Sequence, residues 1–298
     1  MQKIVPNLWC DGNAKEIADF YVSVFPKSKI TGGSTYPNST EEGLADFQLE
    51  LAGKPLTIEL NLAGHDFVLI NAGPEFKPTP STSFMVNFDP SHDPDAKAHL
   101  DETWEKLLDG GEALMPLQKY DFSEHYGWVK DKFGFSWQLI LMDYPDERGC
   151  IVPAMMFGGP VQNKASEAID YYAGVFKNAK KGEQYHYEEQ TGPATKESLM
   201  YADLILESQW FALNDSGVEQ DFTFNESVSF SISCKNQEEI DYYWEKLSKV
   251  PESEQCGWCK DQFGVSWQIV PENMEELMSK PDAFKTMMNQ HKIVIAEY

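Results

Sequence analysis

The chain has 298 residues, with 24 Lys and Arg against 48 Asp and Glu. The resulting charge of −24 repels phosphate backbones and anionic lipid, which sets aside nucleic-acid and membrane-surface roles. Hydrophobic content of 42% with 13% aromatics is globular composition, and the length suits two domains.

In chain order, the run Ile4 to Trp9 reads as a strand and Asp11-Gly12 turns the chain. Asn13 and Glu16 have capping-box spacing. Ala14, Ile17, Ala18, Tyr21, Val24 and Phe25 then recur at helical spacing until Pro26 stops the helix. Strand-like segments follow at 29–35, 43–51, 55–60 and 67–71, and a proline-rich crossing at 73–80 closes this quarter. The pattern restarts with a strand at 82–88. Asp93-Pro94 opens a helix whose stripe is Ala96, Leu100, Trp104, Leu107 and Leu108, and Gly110-Gly111 ends it. Short strands are expected at 113–117, 127–131 and 136–141.

The order then repeats. Residues 127–140 read GWVKDKFGFSWQLI and residues 257–270 read GWCKDQFGVSWQIV. Trp104-Glu105-Lys106-Leu107 returns as Trp244-Glu245-Lys246-Leu247, and Ile4-Val5-Pro6 as Ile151-Val152-Pro153. The first helix ends Phe20-Tyr21 to Phe25 in one half and Tyr171-Tyr172 to Phe176 in the other. A period this long is a domain duplication, not a solenoid. It places domains at 1–147 and 148–298, joined by a linker at 143–149. The second half has its own capping box, Asn236 and Glu239, and its own stripe, Ile240, Tyr243, Trp244 and Leu247. It lacks most of the 54–65 hairpin and much of the 118–125 region, and it ends in a helical segment at 272–290.

No apolar run approaches the roughly 20 residues that span a bilayer. The start MQKIVPNLWC lacks signal-peptide organisation, and five scattered cysteines suit a reducing compartment, so a cytoplasmic location is expected.

The Ile-x-Pro openings, the helices ending in an aromatic pair and the repeated Lys-Asp-x-Phe-Gly-x-Ser-Trp-Gln resemble the PhnB-like, 3-demethylubiquinone-9 3-methyltransferase-like subgroup. That subgroup lies in the vicinal oxygen chelate superfamily of glyoxalase I, bleomycin-resistance proteins and extradiol dioxygenases. The resemblance implies an α+β fold of two tandem glyoxalase-like domains. Each would be a pair of βαβββ modules forming a curved mixed sheet whose concave face holds a ligand.

Metal-dependent members of that superfamily carry His, Glu, His and Glu on the first, fourth, fifth and eighth strands. Carried over, those positions fall on Pro6, Asn71, Ser83 and Gln138, and on Pro153, Asn214, Ser229 and Gln268. Proline cannot ligate through its side chain and the others are weak neutral ligands, so neither a metal nor a cofactor is expected. The row Asn71, Ser83 and Gln138, with its echo Asn214, Ser229 and Gln268, would orient a small molecule by hydrogen bonds, or satisfy itself. His125, in a loop beside Tyr120, Asp121 and Glu124, is a further candidate that only the first half has.

Other motifs carry less chemistry. The methyltransferase label predicts a glycine-rich cradle, and the chain offers Gly158-Gly159-Pro160. Cys256 and Cys259 form a C-x-x-C on an expected strand, and their first-half counterparts are Tyr126 and Val129. Asp131 and Asp261 read as turn-makers, and Trp137 should pack on a helix. The expected function is small-molecule binding in a concave pocket without a catalytic metal. The alternatives are a metal-dependent lyase, isomerase or dioxygenase with non-standard ligands, or a protein-interaction module with filled clefts. The halves would pack as an internal pseudo-dimer, with a further homodimer possible.

Overall fold

The computed structural model describes residues 2–143 and 148–298; residues 144–147 of the expected linker lie outside the described residues. Its first module runs β1 (Ile4–Cys10), α1 (Ala14–Val24), β2 (Lys29–Thr35), β3 (Pro55–Leu62) and β4 (His65–Asn71). The second runs β5 (Thr82–Phe88), α2 (Ala96–Leu108), β6 (Glu112–Tyr120), β7 (Ser123–Lys130) and β8 (Ser136–Leu141). The third runs β9 (Ile151–Phe157), α3 (Ala165–Val175), β10 (Lys180–His186), β11 (Leu199–Leu206) and β12 (Gln209–Asp215). The fourth runs β13 (Val228–Cys234), α4 (Gln237–Leu247), β14 (Trp258–Lys260) and β15 (Ser266–Pro271), and is followed by α5 (Met274–Met278) and α6 (Ala283–Met288).

The α+β class and the tandem βαβββ organisation are as the sequence implies. The sheets, however, do not close within each half. One sheet has seven strands in the order β14-β15-β13-β1-β4-β3-β2, and the other eight in the order β10-β11-β12-β9-β5-β8-β7-β6. The first module therefore shares a sheet with the fourth, and the second with the third. The seams are antiparallel, Ile4 opposite Ile232 on β1 and β13, and Met85 opposite Val152 on β5 and β9. β9 lies beside β5, on the side away from β8. The 73–80 crossing, whose prolines cannot donate to a ladder, carries the chain between sheets.

The apolar cores still follow the halves. The first gathers Ile17, Tyr21 and Phe25 near α1 with Leu100, Trp104 and Leu107 of α2 and Leu69, Phe84 and Trp137 from strands of both sheets. The second does the same around α3 and α4. Within each core the repeated motif has one job. The Asp131 carboxylate accepts the amides of Phe133 (2.9 Å) and Phe135 (3.1 Å), the Tyr21 hydroxyl (2.7 Å) and Trp137 Nε1 (2.9 Å). Asp261 repeats this with Phe263, Val265, Tyr172 and Trp267. The turn reading holds, and it extends to buried bonds that tie α1 to β8 and α3 to β15 through the two carboxylates.

Several local expectations change. Segment 43–51 is no strand: Asp46–Leu51 is a 3-10 turn, and Leu44 packs with Tyr36 and Phe284 instead of alternating across a sheet. The 54–65 hairpin is present in both halves, as β3–β4 and β11–β12. The 118–125 region is not a loop but the tip of a long β6–β7 hairpin. The 272–290 segment breaks at Pro281 into α5 and α6. Asn13 makes no side-chain cap. Asn236 does, accepting the Glu239 amide at 3.0 Å.

Candidate functional site

Alternation along each strand sends one set of residues to the helices and the other to the opposite face. Phe84, Val86, Trp137, Leu139 and Ile151 enter the first core. Ser83, Met85, Gln138, Ile140, Val152 and Ala154 therefore line the other face of the eight-stranded sheet. There Met85, Val152, Ala154 and Ala212 form a separate apolar cluster, joined by Ile140, Tyr201 and Trp210.

Two polar groups bracket this floor. On one side the Tyr126 hydroxyl donates to Gln138 Oε1 (2.7 Å), and Gln138 Nε2 donates to Ser83 Oγ (2.8 Å). Burial pushes the Tyr126 phenol up, so it stays a neutral donor. On the other side Arg148 Nη1 donates to the Tyr201 hydroxyl (2.5 Å) and to Asp203 Oδ1 (3.1 Å). Arg148 is the one arginine of the sequence. The β6–β7 hairpin adds an aromatic wall: Tyr120 stacks on Phe122 at 5.6 Å, and Phe122 meets Tyr126 edge-on at 4.9 Å.

The equivalent face of the seven-stranded sheet carries the same Ser–Gln pair, with Gln268 Nε2 donating to Ser229 Oγ at 2.9 Å. Its floor is more polar, with Asn7 Nδ2 donating to Ser231 Oγ at 3.0 Å among Val5, Val68 and Val270. β1 and β14 are separated there by β13 and β15, about 14 Å at ordinary strand spacing. Yet the rings of Trp9 and Trp258 lie 5.9 Å apart, so both indoles lean over the strands between them. Phe76 packs edge-on against Trp9 at 4.9 Å. α6 then ties the two edges of this sheet together. Phe284 packs with Tyr36 just beyond β2, and the Met288 carbonyl accepts Gln255 Nε2 (2.7 Å) just before β14.

The seven residues singled out from the sequence are not brought together in one row. Ser83 and Gln138 lie on the eight-stranded face, Ser229 and Gln268 on the seven-stranded one. Asn214 is on β12, opposite Met156, with its Nδ2 on the Asp215 carbonyl at 3.3 Å. Asn71 turns to the helix side and accepts the first-turn amide of Ala14 at 3.0 Å. Its second-half counterpart is Asp215, which accepts the Ala165 amide at 3.0 Å, and not Asn214. His125 lies on β7 facing α2, with Nε2 at 2.5 Å from Asp101 Oδ1, on the face opposite Tyr126.

Pro6 and Pro153 also face the helix layer, between Ile4 and Leu8 and between Ile151 and Met155. The side chains that do face the cleft beside Ser83 and Gln138 are Ala154, Val152 and Met85. Hydroxyl, amide and hydrocarbon groups do not fit a divalent ion. Among the described residues no three His, Cys, Asp or Glu side chains cluster as metal ligands.

Sequence reasoning missed Tyr126, Arg148, Tyr201 and Asp203. A usable signal existed for one of them: a lone arginine in so acidic a chain.

Comparison with known proteins agrees with this architecture. The B. cereus putative 3-demethylubiquinone-9 3-methyltransferase, PhnB protein, from Bacillus cereus is 32% identical over 47% of this chain and 100% of its own, with a TM-score of 0.40. Protein PA1353 from Pseudomonas aeruginosa is 20% identical over 47% of this chain and 98% of its own, at a TM-score of 0.37. Glyoxalase I from Zea mays is 9% identical but covers 97% of this chain and 98% of its own at a TM-score of 0.54, which shows the shared fold. No curated protein matches. The family model described as 3-demethylubiquinone-9 3-methyltransferase matches residues 2–140 and again 149–270, so the chain belongs to that family as a tandem copy built on the vicinal oxygen chelate fold.

Proposed function

We propose that this chain binds a small, partly apolar molecule on the concave face of the eight-stranded sheet, without a resident metal. The observation that carries the reading is the floor of Met85, Val152, Ala154 and Ala212 set between two anchored polar groups, Tyr126–Gln138–Ser83 and Arg148–Tyr201–Asp203. Apolar area supplies affinity, and a few fixed donors and acceptors set orientation. The antiparallel seams join the halves as two protomers would be joined, so we take the chain as an internal pseudo-dimer with one working cleft. Methyl transfer, the activity in the family's name, draws no support from Gly158-Gly159-Pro160. Those residues form a tight turn in which a Cβ on Gly159 would lie 2.9 Å from the Phe222 carbonyl oxygen.

Titration with 1-anilinonaphthalene-8-sulfonate tests this, since its rings suit the floor and its sulfonate the arginine. Saturable fluorescence with one equivalent bound is expected, and Ala154→Trp, which sets an indole on the floor, abolishes it. Undiminished binding by that variant overturns the site. Stoichiometric metal by elemental analysis of the purified protein overturns the metal-free reading.

A further inference from the structure

The duplication allows one half to be read against the other away from the sheets as well. A cavity of about 370 Å³ lies where the end of α1, the β3–β4 turn, the end of β5 and α2 converge in the first half. Phe25, Ala63, Val86 and Phe88 give it apolar walls, and Thr103, His99 and Cys150 line it beside the charged groups Asp89, Asp93 and Arg148.

Each wall has a counterpart. Trp104 matches Trp244, so Thr103 matches Tyr243 and His99 matches Glu239. The seam fixes Cys150 against Lys3: the Asn87 amide donates to the Cys150 carbonyl (2.8 Å) as the Ser233 amide does to that of Lys3 (3.1 Å). The hairpin turns match Ala63 with Glu207.

In the second half this space is full. The Tyr243 ring is buried, with its centroid 5.4 Å from that of Phe176, the counterpart of Phe25. Its hydroxyl donates to Glu207 Oε1 at 3.3 Å. Lys3 Nζ lies 5.8 Å from the ring centroid and pairs with Glu239 at 2.9 Å. Phe176, Glu207, Lys3 and Glu239 are each the counterpart of a cavity wall, while Tyr242, edge-on to the ring at 5.3 Å, matches Glu102 on α2. In the first half the chain supplies Thr103 there, whose hydroxyl folds back onto the His99 carbonyl (2.7 Å), and among the described residues no side chain takes the ring's place.

We propose that this cavity is a second ligand site, specific to the first half, for a single aromatic ring of phenol size. The ring would lie against Phe25 with its polar head toward His99 and Ala63. His99 is held as a partner for that head, because Asp93 Oδ2 fixes its Nδ1 at 2.6 Å and leaves the other ring nitrogen available. The volume falls within the range of small-molecule sites. The site shares Arg148 with the rim of the eight-stranded face, but its walls and the proposed ring position belong to the α1–α2 side, so its test reads different residues.

The probe is 4-methylphenol, the tyrosine side chain as a free molecule, titrated by calorimetry and by amide NMR. Wild type is expected to bind one equivalent, with shifts centred on Thr103 and Cys150. Thr103→Tyr, which rebuilds the second half's own filling, should weaken binding at least about tenfold without lowering the melting temperature. Tyr243→Ala should add a second equivalent. No saturable binding by wild type overturns the proposal, and so does binding that Thr103→Tyr leaves unchanged. Should Tyr243→Ala not fold, the Thr103→Tyr result decides alone.

Discussion

The two concave faces are built from the same modules and carry the same Ser–Gln pair, at 2.8 Å on one and 2.9 Å on the other. They share Val5 with Val152 and Trp258 with Trp128 beside it, and differ at other positions around that pair. On the seven-stranded face Trp9 and Trp258 meet over the floor and α6 ties the sheet's edges together. On the eight-stranded face Met156 stands where Trp9 would be, and Tyr126 where Cys256 would be. Met85 and Ala154 replace Ser231 and Asn7. The shared pair therefore belongs to the fold, and the proposed ligand site rests on the substitutions that surround it on one face.

That division can be broken experimentally. The largest effects should be equal in the two halves, because the buried aspartates serve the cores and not the clefts. Asp131→Ala and Asp261→Ala each strand four donors in an apolar interior, for a cost of about 3–5 kcal/mol by urea unfolding. A cost below about 1 kcal/mol in either half would show that its carboxylate is not the pin described. Next comes Trp258→Ala, which removes one side of the indole bridge. A loss of about 3 kcal/mol is expected, together with new binding of 1-anilinonaphthalene-8-sulfonate on the seven-stranded face. Stability lost with no new binding would mean that the bridge is not what closes that face. A smaller effect follows from Gln138→Ala. It leaves the Tyr126 hydroxyl and Ser83 without their shared partner, for about 1–2 kcal/mol, and it weakens dye binding. Gln268→Ala should cost a similar amount and leave dye binding alone, and equal loss of binding in both would erase the contrast between the faces.

How much of this the sequence disclosed depends on the range of the interactions. The duplication, the helices and the Asp turns were legible because each is local or repeated in register, as the stripe from Ile17 to Tyr21 and the Asp131 and Asp261 spacings show. The Ser–Gln pairs were legible as positions but not as partners in a sheet. Which module lies beside which is fixed by the seams, Ile4 against Ile232 and Met85 against Val152, and these join residues of distant modules without any periodicity of their own. A one-residue offset was enough to confuse Asn214 with Asp215, because neighbours on a strand face opposite ways. Arg148 sits within the expected linker, and only the folded register brings it to Tyr201 and Asp203.

The last test asks whether the two buried aspartates, alike in geometry, are alike in charge. Both carboxyls are pushed up by burial against the donors that hold them, and Asp261 is raised to about 6. A carboxyl whose folded value lies above its unfolded value of about 3.9 takes up a proton as the chain folds. Its contribution to stability is fully present below about pH 4 and is lost as the pH rises through about 6. Asp261→Asn cannot titrate, while the surface carboxylates are common to variant and wild type and cancel in the difference. The stability of wild type relative to Asp261→Asn should therefore fall between pH 4 and pH 7, and relative to Asp131→Asn it should move in the same direction. Urea midpoints at the two pH values measure this. A difference that stays flat would mean that the four donated hydrogen bonds balance burial, and one that grows with pH that they outweigh it and hold the carboxylate ionised.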